Sequence, residues 1–128
     1  MTATNVLIAI LIGSVIVLIH ALALKFATQL MVHVSVQFGR ALSIILLEYA
    51  AIFLVCIILF WALNNQTITI LAGAIIYLFA GAALINFWLT TQDGDPLGMG
   101  NGVLNQAIQI PLLIPLFIIA WWLYDLLV

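Results

Sequence analysis

The sequence has very few charged side chains. Two basic and four acidic residues occur among 128, so only 5% of the chain is charged and the net charge is −2. Soluble domains carry about 25% charged residues, which excludes an ordinary water-soluble domain. Two basic residues are also too few to neutralise a run of phosphates, so nucleic acid is excluded as a partner.

Cysteine is nearly absent as well. The single Cys56 lies inside an apolar segment, so neither an internal disulfide nor a cysteine metal site is expected. No serine or threonine is arranged with a base and an orienting acid as in nucleophilic catalysis, and the glycines do not match a phosphate-binding loop. We therefore predict no catalytic residues, no metal site and no enzyme activity, other than as an accessory subunit of a membrane enzyme.

Long hydrophobic runs are what the sequence has in abundance. Hydrophobic residues make up 68% of the chain, and its mean hydropathy is +1.42. A helix needs about 20 apolar residues to cross a bilayer. Four runs reach that length, at residues 5–24, 39–63, 67–89 and 104–127. They predict a single all-α domain, a polytopic integral membrane protein with four transmembrane helices and short loops.

The segment between the first two runs, residues 25–38, is ambiguous. Drawn as a helix, it gathers apolar and polar residues on opposite sides, which is typical of an interfacial amphipathic helix or an extension of the first span. Its last residues also alternate in polarity as strands do. A lone strand in a membrane protein has no pairing partner, so we predict helix.

The two basic residues indicate an orientation. Lys25 and Arg40 both flank the connection between the first two spans, and basic residues favour the cytoplasmic side of a membrane. We therefore expect residues 25–38 and 90–103 inside and both termini outside. The expected location is a bacterial-type inner, or plasma, membrane.

Glu48 is the most informative single residue. It lies close to the middle of the second span, where a carboxylate costs roughly 2.5–3.5 kcal/mol on insertion scales and often marks function. One interpretation is a proton or cation carrier, or an inward-facing ligand. The other is a carboxyl group that is held neutral or paired for helix packing.

His20 is the only strongly polar residue of the first span. Counted from the cytoplasmic ends of their spans, His20 and Glu48 differ in depth by only about 5 Å, so a contact between them is one expectation. The functional interpretations are a proton relay or one ligand of a haem, pigment or metal. The simpler interpretation, which we favour, is a single hydrogen-bonded histidine, and we predict no cofactor.

Small residues mark one face of the third span. They include Gly73, Ala74, Ala80 and Gly81, with the glycine–alanine pairs seven residues apart. Small side chains allow helix backbones to approach closely in membranes. We predict that this face packs against a neighbouring helix.

The fourth span contains Pro111 and Pro115, preceded by the amide side chain of Gln109. Each proline removes one helix hydrogen bond. A helix broken here would expose carbonyl groups to an ion or substrate, whereas a kink stabilised by neighbouring helices is the simpler alternative.

Two functional hypotheses follow. The first is a non-catalytic integral membrane subunit of a larger energy-converting or transport complex, because the chain has no catalytic arrangement and no soluble mass. The second is a small oligomeric ion or proton channel or carrier with Glu48 in the pathway. The expected partners are the lipid bilayer and either other membrane subunits or further copies of this chain.

Overall fold

The computed structural model describes residues 2–91 and 93–128, and four α-helices account for most of them. These helices are α1 (Ala3–Val32), α2 (Phe38–Leu63), α3 (Gln66–Trp88) and α4 (Met99–Leu127). Each is long and apolar enough to cross a membrane. Helices suit this setting because they pair their backbone groups within the segment. The predicted all-α fold with four membrane-spanning helices is confirmed, and the chain is an integral membrane protein.

The ambiguous segment 25–38 belongs to two helices and a short linker. The first helix continues through Lys25 to Val32, and α2 begins at Phe38. Residues 33–37 between them are not helical. The first helix ends at His33, which adopts a left-handed conformation with φ of 54° and donates its backbone N–H to the Gln29 carbonyl.

Two asparagines make the tight turn between α2 and α3. Asn64 ends α2 in the left-handed region, with φ of 46°, and Asn65 accepts a hydrogen bond from the Ile68 amide of 3.1 Å. Asparagine tolerates positive φ better than most residues and is a preferred N-cap. The turn therefore needs no further residues, and α2 and α3 run antiparallel.

The four helices close into a ring. Helices that follow one another in the chain pack together, and α4 packs against α1, whereas the diagonal pairs make no close backbone approach. Because successive helices alternate in direction, residues 33–37, 89–91 and 93–98 lie at one end of the bundle, which we call the loop end. Both termini and the Asn64–Asn65 turn lie at the opposite, terminal end.

Packing is much tighter toward the loop end. The fully buried apolar side chains include Leu24 on α1, Ile44 and Ile45 on α2, and Ile85 on α3, all in the halves of their helices nearest that end. Toward the terminal end most side chains are exposed or half-buried. The bundle thus has a closed half and a loosely packed half.

Glycines permit the closest helix approaches. A Cβ atom at Gly102 of α4 would come within 2.6 Å of the Ala82 carbonyl oxygen of α3. Of the small residues predicted to pack, Gly81 is buried and faces α4, while Gly73 faces Cys56 of α2. The two others differ in exposure, since Ala80 is half-buried and Ala74 is exposed.

The two prolines lie inside α4 without dividing it. The helix continues through Pro111 and Pro115 to Leu127, and both proline side chains are exposed. Gln109, just before them, points inward and is fully buried. The prolines therefore occupy the outer surface of the bundle, and the amide belongs to its interior.

Candidate functional site

His20 joins three helices at the centre of the bundle. Its Nδ1 lies 3.0 Å from the Tyr49 hydroxyl of α2, and its Nε2 lies 2.9 Å from Oε1 of Gln109 on α4. The imidazole ring also meets the Tyr49 ring edge-on, with centroids 5.4 Å apart. Only 2% of the His20 surface is exposed, so these contacts satisfy a polar group that water does not reach.

The hydrogen bonds continue from Gln109 toward the loop end. The Gln109 amide donates to Oδ1 of Asn105 at 2.7 Å, and the Asn105 amide donates to the Thr28 hydroxyl at 2.8 Å. The Thr28 hydroxyl then donates to the Leu24 carbonyl at 2.8 Å. Together with His20 and Tyr49, these residues form one buried chain of hydrogen bonds, which we call the donor chain.

The donor chain has one direction throughout. Because the Gln109 amide nitrogen is committed to Asn105, its oxygen faces His20 and must accept, so Nε2 carries the imidazole proton. Neutral imidazole then accepts at Nδ1, which pairs with the hydroxyl proton of Tyr49. Every link from Tyr49 to Leu24 therefore donates in the same sense.

A second polar cluster lies beside the donor chain and is not satisfied in this way. Both carboxyl oxygens of Glu48 on α2 and Oε1 of Gln106 on α4 are buried without a hydrogen-bond partner. Glu48 is 1% exposed and Gln106 is fully buried, and the two side chains are neighbours. We call these three oxygens the acceptor cluster.

Gly81 of α3 provides the space for the acceptor cluster. A Cβ atom at this position would overlap the Gln106 side chain and would come within 3.0 Å of Oε2 of Glu48. The two polar side chains thus meet over a helix backbone that has no side chain of its own. Any larger residue at position 81 would displace at least one of them.

The donors nearest the acceptor cluster have partners elsewhere. The side-chain amide of Gln106 donates to the main-chain carbonyl of Tyr77 at 2.9 Å, and the Tyr77 hydroxyl donates to the main-chain carbonyl of Gln106 at 3.3 Å. The Tyr49 hydroxyl faces His20. Both phenols are near enough to Glu48 for an electrostatic interaction, yet neither gives it a hydrogen bond.

An apolar cavity of about 310 Å³ lies on the terminal side of both clusters and is lined by neither Glu48 nor Gln106. The rings of His20, Tyr49 and Tyr77 line its inner part. Its other walls are aliphatic or aromatic and come from α2 and α4: Ile52, Ile110, Leu113, Ile114 and Phe117. A hydrophobic chamber with aromatic rings therefore lies next to an unpaired buried carboxyl group.

The two residues singled out from the sequence, His20 and Glu48, lie in adjoining clusters without a hydrogen bond between them. His20 pairs with Tyr49 and Gln109 instead, and Glu48 packs toward Gly81 and Gln106. His20 and Glu48 lie at similar depths in the bundle, as expected, but their side chains contact different neighbours. The direct contact considered from the sequence is therefore replaced by adjacent polar clusters.

Sequence reasoning missed several members of the site. Tyr49, Tyr77 and Thr28 gave no signal, because aromatic and hydroxyl residues are common in membrane helices. The amides of α4 did carry one, since Asn105 and Gln109 are four residues apart and share a helix face. The amides Asn105, Gln106 and Gln109, close together at the start of the fourth apolar run, could have been interpreted as a buried polar surface.

The contacts of His20 bear on the haem, pigment or metal ligand considered from the sequence. No group of three His, Cys, Asp or Glu residues is placed to hold a metal ion within residues 2–91 and 93–128. Both nitrogens of His20 are hydrogen-bonded, so axial ligation would require one of those bonds to break. A haem or pigment at His20 stays a prediction that an absorption spectrum of the purified protein would test.

Comparisons of the chain with known protein families, curated proteins and solved structures gave no match. The geometry of the site is therefore the evidence on the function of this protein.

We predict that Gln109→Leu destabilises the bundle by about 1–3 kcal/mol. The substitution leaves both the His20 Nε2–H group and Oδ1 of Asn105 buried without their partner. Reversible unfolding in mixed detergent micelles measures the difference. Gln29→Leu is the matched control, because Gln29 is exposed on α1. Equal loss of stability in both variants would contradict a specific role for the donor chain.

Proposed function

We propose that this protein is a small membrane-embedded carrier or channel for protons or cations, with the acceptor cluster as its binding site. The observation that supports the proposal is the set of three buried oxygens, on Glu48 and Gln106, that have no donor. Buried polar groups in proteins are nearly always paired. An exception in the core of a membrane bundle is where a transported positive charge would bind.

A permanently charged carboxylate kept only for helix packing accounts poorly for this arrangement. A carboxyl group retained for packing specificity would be expected to accept hydrogen bonds from nearby donors, because an unpaired buried group costs about 1–3 kcal/mol, and more if it is charged. Tyr49 and Tyr77 are close, yet their hydroxyls point to other acceptors. Neither of the two basic residues, Lys25 and Arg40, donates to Glu48.

A proton on Glu48 would resolve the mismatch. A carboxylic acid has one O–H donor, and the neighbouring Oε1 of Gln106 is an acceptor without a partner. The titratable groups facing the site are His20 from α1, Tyr49 from α2 and Tyr77 from α3, while α4 contributes only amides. Loss of the proton would leave a carboxylate that needs another cation.

The position of the site also supports transport. The acceptor cluster lies where the closed half of the bundle meets the loosely packed half. On the terminal side the apolar cavity reaches Tyr49 and Tyr77, whereas on the loop side packed residues such as Ile44 and Ile45 are fully buried. The site thus lies between a cavity on the terminal side and a packed core on the loop side, and alternating access would open it to each side in turn.

We predict that Glu48→Gln abolishes proton flux and raises stability. Glutamine cannot release a proton at this position, but its amide supplies the donor that Oε1 of Gln106 lacks. The gain in unfolding free energy should be on the order of 1 kcal/mol. Flux is measured in proteoliposomes with a trapped pH-sensitive dye under an imposed proton gradient.

Asp125→Asn is the control for this experiment, because Asp125 is an exposed carboxyl near the end of α4. It should leave proton flux unchanged. Wild-type flux in Glu48→Gln, with the protein correctly inserted, would reject Glu48 as the binding group. Equal flux loss in Glu48→Gln and Asp125→Asn would indicate damage unrelated to the acceptor cluster.

A second candidate function is that of a non-catalytic subunit in a larger membrane complex. It is favoured by the cleft between α1 and α4 in the loosely packed half, about 420 Å³ in volume and walled by apolar residues such as Val15, Ile19 and Ile119. A helix from another subunit would fill such a cleft.

Native mass spectrometry of the protein, extracted in mild detergent from its own membrane, separates the two functions. Stoichiometric partner proteins would support the subunit role. A homo-oligomer or a monomer without partners would support a carrier or channel that acts by itself.

We further propose a bacterial-type plasma membrane with the loop end facing the cytoplasm, since Lys25 and Arg40 both lie toward that end. Single cysteines at Ser35 and Asn65, introduced after Cys56→Ala, report the orientation. An impermeant thiol reagent added to intact cells should label position 65 and spare position 35. The reverse pattern would overturn the orientation.

A further inference from the structure

We propose that the site takes a hydrophobic organic cation, with its positive centre at the acceptor cluster and its apolar part in the 310 Å³ cavity. The inference rests on the proposed function, because it names the substrate class of that same site. It follows from the juxtaposition of an unpaired buried carboxyl group with an aromatic-lined apolar chamber, which a bare proton alone does not require.

The two parts of the site are one helical turn apart on three helices. The acceptor cluster involves Glu48 on α2, Gly81 on α3 and Gln106 on α4. The cavity is lined by the residues four positions away on the same helices, namely Ile52, Tyr77 and Ile110. Four residues correspond to about 6 Å along a helix. A ligand a few bonds long spans this distance, and because Glu48 and Gln106 do not line the cavity, its contact with the carboxyl group requires the side chains in between to move.

The cavity offers aromatic and aliphatic surface for such a ligand. The rings of Tyr49, Tyr77 and Phe117 contribute to its lining, and aromatic faces attract organic cations. The hydroxyls of Tyr49 and Tyr77 are turned to His20 and to the Gln106 carbonyl. The lining therefore presents mostly carbon, as a hydrophobic ligand requires.

Charge complementarity selects a cation over a neutral or anionic ligand. All three unpaired atoms of the acceptor cluster are oxygens, and no basic side chain donates to them. A neutral hydrophobic molecule would fill the cavity but leave those oxygens unpaired. An anion would meet the Glu48 carboxyl without a compensating donor.

A proton and an organic cation would compete for Glu48. Binding of the cation requires the carboxylate, so one proton should leave for each cation that binds. When Glu48 is predominantly protonated, the apparent Kd should rise about tenfold for each unit that the pH falls. This exchange would couple movement of the organic cation to movement of a proton.

Benzyltrimethylammonium is the probe for the experiment, because its ring matches the cavity and its charge matches the acceptor cluster. Binding to the full chain in non-ionic detergent is measured by isothermal titration calorimetry in two buffers of different ionisation enthalpy, which also counts released protons. Neopentylbenzene, a neutral molecule of the same shape, serves as competitor.

The expected result is saturable binding with proton release and little competition from neopentylbenzene. Glu48→Gln should weaken binding at least about tenfold, and Glu48→Asp should retain most of it. Ile114→Trp, which fills the cavity, should weaken binding. Ile118→Trp, one turn further along α4 and 64% exposed, is its control and should bind as wild type does.

The outcomes separate the two proposals. Absence of saturable binding while Glu48-dependent proton flux persists would overturn the proposal that the site binds an organic cation, and it would leave the proposed function unchanged. Undiminished binding in Glu48→Gln, or strong competition by neopentylbenzene, would also overturn it, since the charge would then play no part. If the folded wild-type protein shows neither binding nor Glu48-dependent proton flux, both proposals are overturned.

Discussion

The lack of water inside a lipid bilayer is the constraint on which this structure depends. A polar group in the hydrocarbon region must find its partner within the protein. The four helices meet this requirement for most of their backbone groups, and the donor chain meets it for His20, Asn105 and Gln109. The acceptor cluster does not meet it. Hydrogen-bonded and unpaired polar groups therefore lie side by side, and the unpaired ones are the candidates for binding a ligand.

The fold was largely predictable because it depends on one strong signal. Four apolar runs separated by short polar segments allow few arrangements in a membrane, and all four runs became helices. Details of their ends were less accessible. The first helix extends beyond the apolar run to Val32, and it ends where His33 takes a left-handed conformation.

The site was predictable only in part, and the reason is geometric. Depth along a helix can be counted from sequence, so His20 and Glu48 could be placed at similar levels. Which side chain faces which neighbour depends on the rotation of each helix, and that depends on packing. Gly81 illustrates this limit. Its small size was visible in the sequence, but the pairing of its bare backbone with Gln106 and Glu48 required the assembled bundle.

The single direction of the donor chain has a consequence for communication along the molecule. The chain begins at Tyr49 beside the cavity and ends at the Leu24 carbonyl, after passing through Thr28, which lies about 12 Å further along α1 than His20. Hydrogen bonds in such a series polarise one another. A molecule that accepted the hydrogen bond of the Tyr49 hydroxyl would take it away from His20, and the polarisation of each later hydrogen bond would change with it. The series of hydrogen bonds therefore runs from the wall of the cavity to Thr28, about one turn from the end of α1.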